Sequence, residues 1–180
     1  VRQEPSECSE QVTQLLFGEY CSLLESQSRW LKVCSLLDGQ IGWVDHKMVV
    51  VSDGETRWDV PSSVVAVPMA IATTLDGGEE IPLTMGTRLM NYNHGIFEVL
   101  DKQYLINPSC ICDTNNGTSC LSIDNLAVSL LNTPYLWGGK NVMGMDCSGF
   151  TQILYSVLGV QLKRNASEQI LQGVAVSSLS

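Results

Sequence analysis

At 180 residues and 44% apolar side chains, the chain is long enough for one large domain or two to three small ones, and its composition excludes a disordered tail. Ten basic residues against nineteen acidic ones give a formal charge of −9. With no Lys/Arg cluster, a phosphate backbone would repel the chain, so nucleic acid is not an expected partner. There is no run of about 18 uncharged apolar residues to cross a membrane, and VRQEPSECSE lacks the basic flank and apolar block of an export signal.

Residues 1–52 contain short β-prone runs, QVTQLLFGE, YCSLLE, WLKVCSL and IGWVD, broken by SQS and DGQ, a pattern that predicts a small β-barrel. Cys21 and Cys34 flank its first hairpin. A change of one residue in register would part them, so no disulfide is expected. The polar, turn-rich SDGETRWDVPSS reads as a linker. A second β-rich unit at 61–113 follows, VVAVPMAIATTL and IPLTMGTRLMNYNHGIFEVLDKQYLI, cut by DGGEE and NYNHG. QLLFGEYCSLL and IPLTMGTRLMN align with Gly18 on Gly86 and Leu15 on Leu83, which suggests two copies of one fold, although any two β units share Leu and Gly at turns. Cys110, Cys112 and Cys120 surround DTNNGTS. The seven cysteines form no paired CxxC set and no histidine lies near these three, so they read as inert loop thiols and neither metal nor cofactor is expected.

Beyond DTNNGTS the periodicity turns helical. SIDNLAVSLLN offers Ser122 or Asp124 as an N-cap and ends before Pro134. A stronger helix starts at Cys147, with Phe150, Ile153, Leu154, Val157 and Leu158 on one face and Gly159 as its stop. The spacing points Cys147 toward that face at the helix start, where unpaired N–H groups and the dipole favour an anion. A cysteine there is either a small core hydrophobe or a nucleophile. The Gly-rich TPYLWGGKNVMG, which brings Tyr135 and Trp137 close in sequence, weighs toward the nucleophile.

PYLWGG followed by MDCSGF, then TQILYSVLGVQLKR and NASEQ, resembles the NlpC family of papain-like cysteine peptidases, which cut bacterial cell-wall peptides. VRQEPS, QLLFGE, WLKV and GWVD are similar to the bacterial SH3-like domains of its γ-D-glutamyl-diamino-acid endopeptidase branch. The resemblance implies an α+β architecture. Two small SH3-like β-barrels, at 1–52 and 61–113, would precede the N-terminal helical half of a papain-like domain at 121–180. It implies Cys147 as nucleophile, and Tyr135 as the tyrosine that orients the attacked carbonyl or its oxyanion. Asp146 would bind the free amine of an L-Ala-γ-D-Glu stem peptide, and Ser148 the D-Glu carboxylate, although both could instead cap the helix. Arg164 and Ser167 would complete the substrate contacts, while Ala166 stands where some members carry serine.

The family's histidine is absent from the 33 residues after Cys147, and His46 and His94 lie in the β units. What the resemblance implies for the whole protein is a cell-envelope enzyme, periplasmic or secreted, that cuts γ-D-Glu–diamino-acid bonds in peptidoglycan stem peptides. This chain alone would be inactive and would associate with a remaining catalytic half that covers the apolar stripe of the Cys147 helix. The alternative is a peptidoglycan-binding protein with an inert peptidase segment.

Overall fold

Residues 1–52, 59–115 and 122–176 are described by a computed structural model. In the first unit, β1 (Cys21–Gln27), β2 (Trp30–Ser35) and β3 (Ile41–Asp45) form an antiparallel sheet in that order. Ser28, with φ of 56°, turns the chain between Gln27 and Trp30, which pair directly. Leu31, Val33 and Val44 form the unit's own core, and Val1, Leu15, Cys21 and Val49 pack against it. Cys21 pairs with Ser35 and Cys34 with Ser22. The offset of one residue sends the two thiols to opposite faces, and both are free.

The second unit contains β4 (Ser63–Val65), β5 (Met69–Thr74), β6 (Glu80–Thr84), β7 (Ile96–Val99), β8 (Lys102–Ile106) and β9 (Ile111–Asp113). Four of them make a sheet in the order β6-β5-β8-β7, while β4 and β9 pair separately. β5 alternates as a one-sided strand should, with Ala70, Ala72 and Thr74 inward and Met69 and Ile71 outward. Its core includes Phe97 stacked on Tyr104 with centroids 5.2 Å apart, and Phe17 of the first unit meets Tyr104 edge-on.

Closed barrels do not form in either unit. The expected strand at 11–19 pairs only at Gln11, with Arg2. The rest of that run is drawn off the sheet to meet later parts of the chain through Thr13, Gln14, Leu16 and Glu19. Every residue of β1 after Cys21 is left exposed. Of the expected linker, residues 53–58 lie outside the described residues, as do 116–119 of DTNNGTS and Cys120. Cys112 is no loop thiol: it sits in β9, 5% exposed, within the shared core.

The last segment comprises α1 (Ile123–Ser129), a small hairpin of β10 (Lys140–Asn141) and β11 (Gly144–Met145), α2 (Cys147–Val157) and α3 (Ala166–Gln169). Ser122 caps α1 by accepting from the Asn125 N–H. Leu158 and then Gly159, whose φ is 83°, end α2.

Contrary to expectation, the apolar stripe of α2 is covered. Ile153, Leu154 and Val157 are each under 5% exposed, in one cluster with Leu16, Val64, Met85 and Leu126. Each such burial is worth roughly 1.5–3 kcal/mol. The cover comes from the β units together with α1, and it reaches backbone range at Gly86, where an added Cβ would lie 2.6 Å from the Ile153 methyl. Arg88 completes the join by donating to the Ser156 carbonyl and hydroxyl at 3.1 and 3.2 Å.

Candidate active site

Cys147 opens α2 as its first helical residue, and its side chain is exposed. Sequence spacing had turned it toward the core. The residues around it explain the difference, because Asp146, Ser148 and Gly149 take the buried positions and leave the thiol on the groove side. The N–H groups of Cys147 and Ser148, in the first turn, have no acceptor among the described residues.

The carboxylate of Asp146 caps the helix and is 7% exposed. Its Oδ1 accepts from the Gly149 N–H at 2.7 Å, the Ser148 hydroxyl at 3.1 Å and Arg164 Nη1 at 3.1 Å. Its Oδ2 accepts from the Gly138 N–H at 2.9 Å and Arg164 Nη2 at 2.7 Å. Burial works to raise its pKa, but the Arg164 hydrogen bonds and charge and the two backbone donors outweigh it and hold the carboxyl below its usual range.

Arg164 is 2% exposed and spends all five of its N–H bonds inside the protein. Besides its two bonds to Asp146, it donates to the Ser148 hydroxyl at 2.8 Å, the Gly139 carbonyl at 3.2 Å and, through Nε, the Thr13 hydroxyl at 3.0 Å. Asp146, Ser148 and Arg164, the expected substrate contacts, are bonded to one another in this structure. An incoming ammonium or carboxylate would have to displace a buried charge-assisted bond. Ser167 is exposed near the start of α3 and lies apart from the residues lining the Cys147 groove. Gln169, not singled out as a contact, reaches back to the Ser148 carbonyl at 3.0 Å.

The groove has a volume of about 460 Å³, and its wall is mostly apolar: Leu130, Leu131, Tyr135, Met145 and Phe150 surround Cys147. Tyr135 is 68% exposed and is fixed through its backbone, which bridges Met145. The Gly-rich stretch is folded by contacts with the first unit that sequence reading missed. Gln11 donates to the Trp137 carbonyl at 3.1 Å, Trp137 Nε1 donates to Glu10 at 2.6 Å, and Gln14 accepts from the Lys140 N–H at 2.8 Å. Gly138, with φ of 73°, has no room for a side chain, since a Cβ would lie 2.3 Å from the Gln11 carbonyl oxygen. Only the glycine pair hinted at this, because polar partners more than 120 residues away leave no local signal.

A buried ion pair joins the same two parts of the chain. Lys140 Nζ lies 2.8 and 3.1 Å from the Glu19 oxygens, with side chains 1% and 6% exposed. Among the described residues no histidine lines the groove. His46 and His94 are both exposed on the β units, and His46 faces Asp45 and the Arg29 carbonyl.

Residues 1–48 match the bacterial dipeptidyl-peptidase Sh3 domain, and residues 132–179 match the NlpC/P60 family. The chain joins a bacterial SH3 domain to an NlpC/P60 domain. It is 27% identical over 184 residues to the γ-D-glutamyl-L-lysine dipeptidyl-peptidase of Bacillus subtilis (strain 168), covering 94% of the chain and 61% of that protein. A Bacillus cereus protein (strain ATCC 10987 / NRS 248) of the same name is 26% identical, over 91% of the chain and 55% of the relative. A solved structure of an NlpC/P60 family protein from Bacillus cereus ATCC 10987 shares the fold. It matches with a TM-score of 0.77 at 23% identity, over 92% of the chain and 61% of that structure. The chain therefore spans about three fifths of the length of these relatives. Cys147, Tyr135 and the Asp146–Arg164 pair all lie within the NlpC/P60 match.

Proposed function

We propose that the full-length protein is a cysteine peptidase that hydrolyses the bond between γ-D-Glu and the diamino acid in peptidoglycan stem peptides, in cell-wall turnover or recycling at the cell envelope. One observation carries this reading: an exposed thiol at the capped start of α2, beside Tyr135 in an apolar groove, with two backbone N–H groups left unbonded next to it. The names of the Bacillus relatives support the choice of bond.

In this reading the Cys147 sulfur attacks the γ-carbonyl carbon, and the oxygen that gains charge turns toward the Cys147 N–H. The C–N bond then breaks, the amine leaves with a proton, and water hydrolyses the thioester. A base near the thiol is required, and the proposal places it outside the described residues. Tyr135 orients the carbonyl or its oxyanion. Asp146, Ser148 and Arg164 hold α2 and the Gly-rich loop in place. Asp146 is neutralised by Arg164, so selection of a free amino terminus falls to another acid. Glu10 is exposed and bonded to Trp137, two residues from Tyr135. We also read 61–113 as a second SH3-like unit, which the matching left-handed turns at Gly18 and Gly86 support.

The test is turnover of L-Ala-γ-D-Glu-L-Lys by the full-length protein, with its N-acetylated form as control. The expected result is release of lysine, its loss in Cys147→Ala with peptide still bound, and poor cleavage of the acetylated peptide. Retention of a tenth of the activity in Cys147→Ala would move the chemistry elsewhere. Binding by the unmodified full-length protein with no turnover would favour the alternative of a wall-binding protein, a reading motivated by the absence of a histidine from the groove among the described residues.

A further inference from the structure

A second cavity, of about 390 Å³, opens on the first β unit and shares no lining residue with the Cys147 groove. Its size is within the range of roughly 300–1,000 Å³ typical of small-ligand sites. Part of the lining is apolar: Trp30 and Trp43, which share one face of the sheet, with Leu15 and Val44. Arg29 lies over Trp30 and Lys32 over Trp43, at 5.4 and 5.6 Å from the ring centres.

The charges around the cavity are unevenly spent. Glu7 is bonded to Arg29, and Asp45 sits 3.5 Å from Arg29 and 3.6 Å from Lys47. Both acids of the lining are therefore paired. Arg2 gives one Nη1 hydrogen to the Ser9 carbonyl at 3.0 Å and pairs with no carboxylate among the described residues. Gln14 uses Oε1 twice, accepting from the Lys140 N–H and from Asn141 Nδ2 at 3.0 Å. Its amide NH₂ donates to nothing among the described residues. The cavity thus combines an apolar surface with an unpaired guanidinium and a spare amide donor, and among the described residues its lining holds no unpaired anion to repel a negative ligand.

We propose that this cavity binds a short peptide through its terminal carboxylate. The carboxylate would pair with the planar fork of Arg2 and accept from the Gln14 amide, while the preceding residue lies on the apolar surface. The source of the peptide is either a wall stem or an ordinary protein fragment, since the chemistry is shared. Gln14 gives the site a line to the catalytic segment: the side chain that meets the ligand also holds Lys140 and Asn141 of β10, and Asn141 forms part of the cavity wall. The proposal stands apart from the peptidase reading, because no bond is made or broken here.

The test is a titration of the Cys147→Ala chain, followed by the NMR signals of the indole N–H groups. Four probes are compared at millimolar concentration: L-Ala-γ-D-Glu-L-Lys, the all-L tripeptide Ala-Glu-Lys, and each of the two amidated at its C-terminus. The Trp30 and Trp43 signals should move with the free carboxylates and not with the amides. Arg2→Gln should weaken the effect at least tenfold. Gln14→Glu, which keeps the acceptor for Lys140 and Asn141 and replaces the donor with a carboxylate oxygen, should do the same even if Arg2→Gln fails to fold. A response to the stem peptide alone assigns the source to the wall, and an equal response to both assigns it to peptides in general. Shifts confined to Trp137, or Trp30 and Trp43 shifts indifferent to amidation, would overturn the site. Turnover by the full-length protein with this cavity silent would end this proposal and leave the peptidase reading standing.

Discussion

Thr13 lends a hydroxyl from the SH3 domain to the guanidinium that fixes Asp146 and Ser148 beside the thiol. Thr13→Val would leave the Arg164 Nε–H buried without an acceptor, at a cost of about 1–3 kcal/mol. Thr13→Ser should restore most of it, and urea unfolding of both variants checks the pair. The Asp146 carboxyl titrates below its usual range, so the folded chain releases that proton more readily than the unfolded one does. Its contribution to stability is complete above the unfolded value of about 3.9 and is lost as pH falls through the lower folded value. In Asp146→Asn the cap persists, but one partner of a buried pair is gone, at roughly 3–5 kcal/mol. A melting series from pH 7 to 2 should show that variant less stable at neutrality, with a shallower decline in acid. An acid limb as steep as that of the unmodified chain would assign the loss to other carboxylates.

At the scale of elements, α2 depends on Gly149 more than helix propensity suggests. Alanine in place of a helical glycine normally gains about 1 kcal/mol. Here its Cβ would stand 2.2 Å from the Gly139 carbonyl oxygen, a backbone atom that cannot swing aside. The clash decides the sign, so Gly149→Ala should destabilise the chain by about 1–3 kcal/mol and shift Cys147 relative to the loop. Denaturant midpoints, together with the rate of Cys147 alkylation mapped by mass, would register both effects. This helix was legible in the sequence because its signals are local: Asp146 caps it, Ile153, Leu154 and Val157 repeat on one face, and Gly159 stops it. The run at 11–19 was not. Its alternation looks like a strand, but Thr13, Gln14, Leu16 and Glu19 are committed to partners far along the chain. The site was legible in the same uneven way. Cys147 and Tyr135 followed from their motif, whereas the enclosure of Asp146 by Arg164 is a contact across 18 residues that spacing does not reveal.

The whole molecule is tied together by Lys140 and Glu19, the buried pair that bridges the SH3 domain and the NlpC/P60 domain. Burial pushes the Glu19 carboxyl upward, against the pull of Lys140. Lys140→Met should cost about 3–5 kcal/mol by stranding that acid, while Lys140→Met combined with Glu19→Leu should recover most of the loss or all of it. A double-mutant cycle by thermal unfolding measures the coupling. Leu16, Val64, Met85 and Cys112 share a core with Leu126, Ile153 and Leu154, so the last segment, among the described residues, has no core cluster apart from the β units. Residues 122–180 expressed alone should bind a hydrophobic dye and lack a cooperative transition. A sharp melt from that piece would show that the shared core is dispensable.

The cover over α2 also has an order in time. Leu16, Val64 and Met85 leave the ribosome before Ile153, Leu154 and Val157, so the surface that receives the thiol-bearing helix is translated before the helix itself. The two β units then act as a mould during synthesis as well as neighbours afterward. A destabilising change at Leu16 should therefore lower the yield of folded protein from translation more than it lowers the melting temperature of the molecules that succeed.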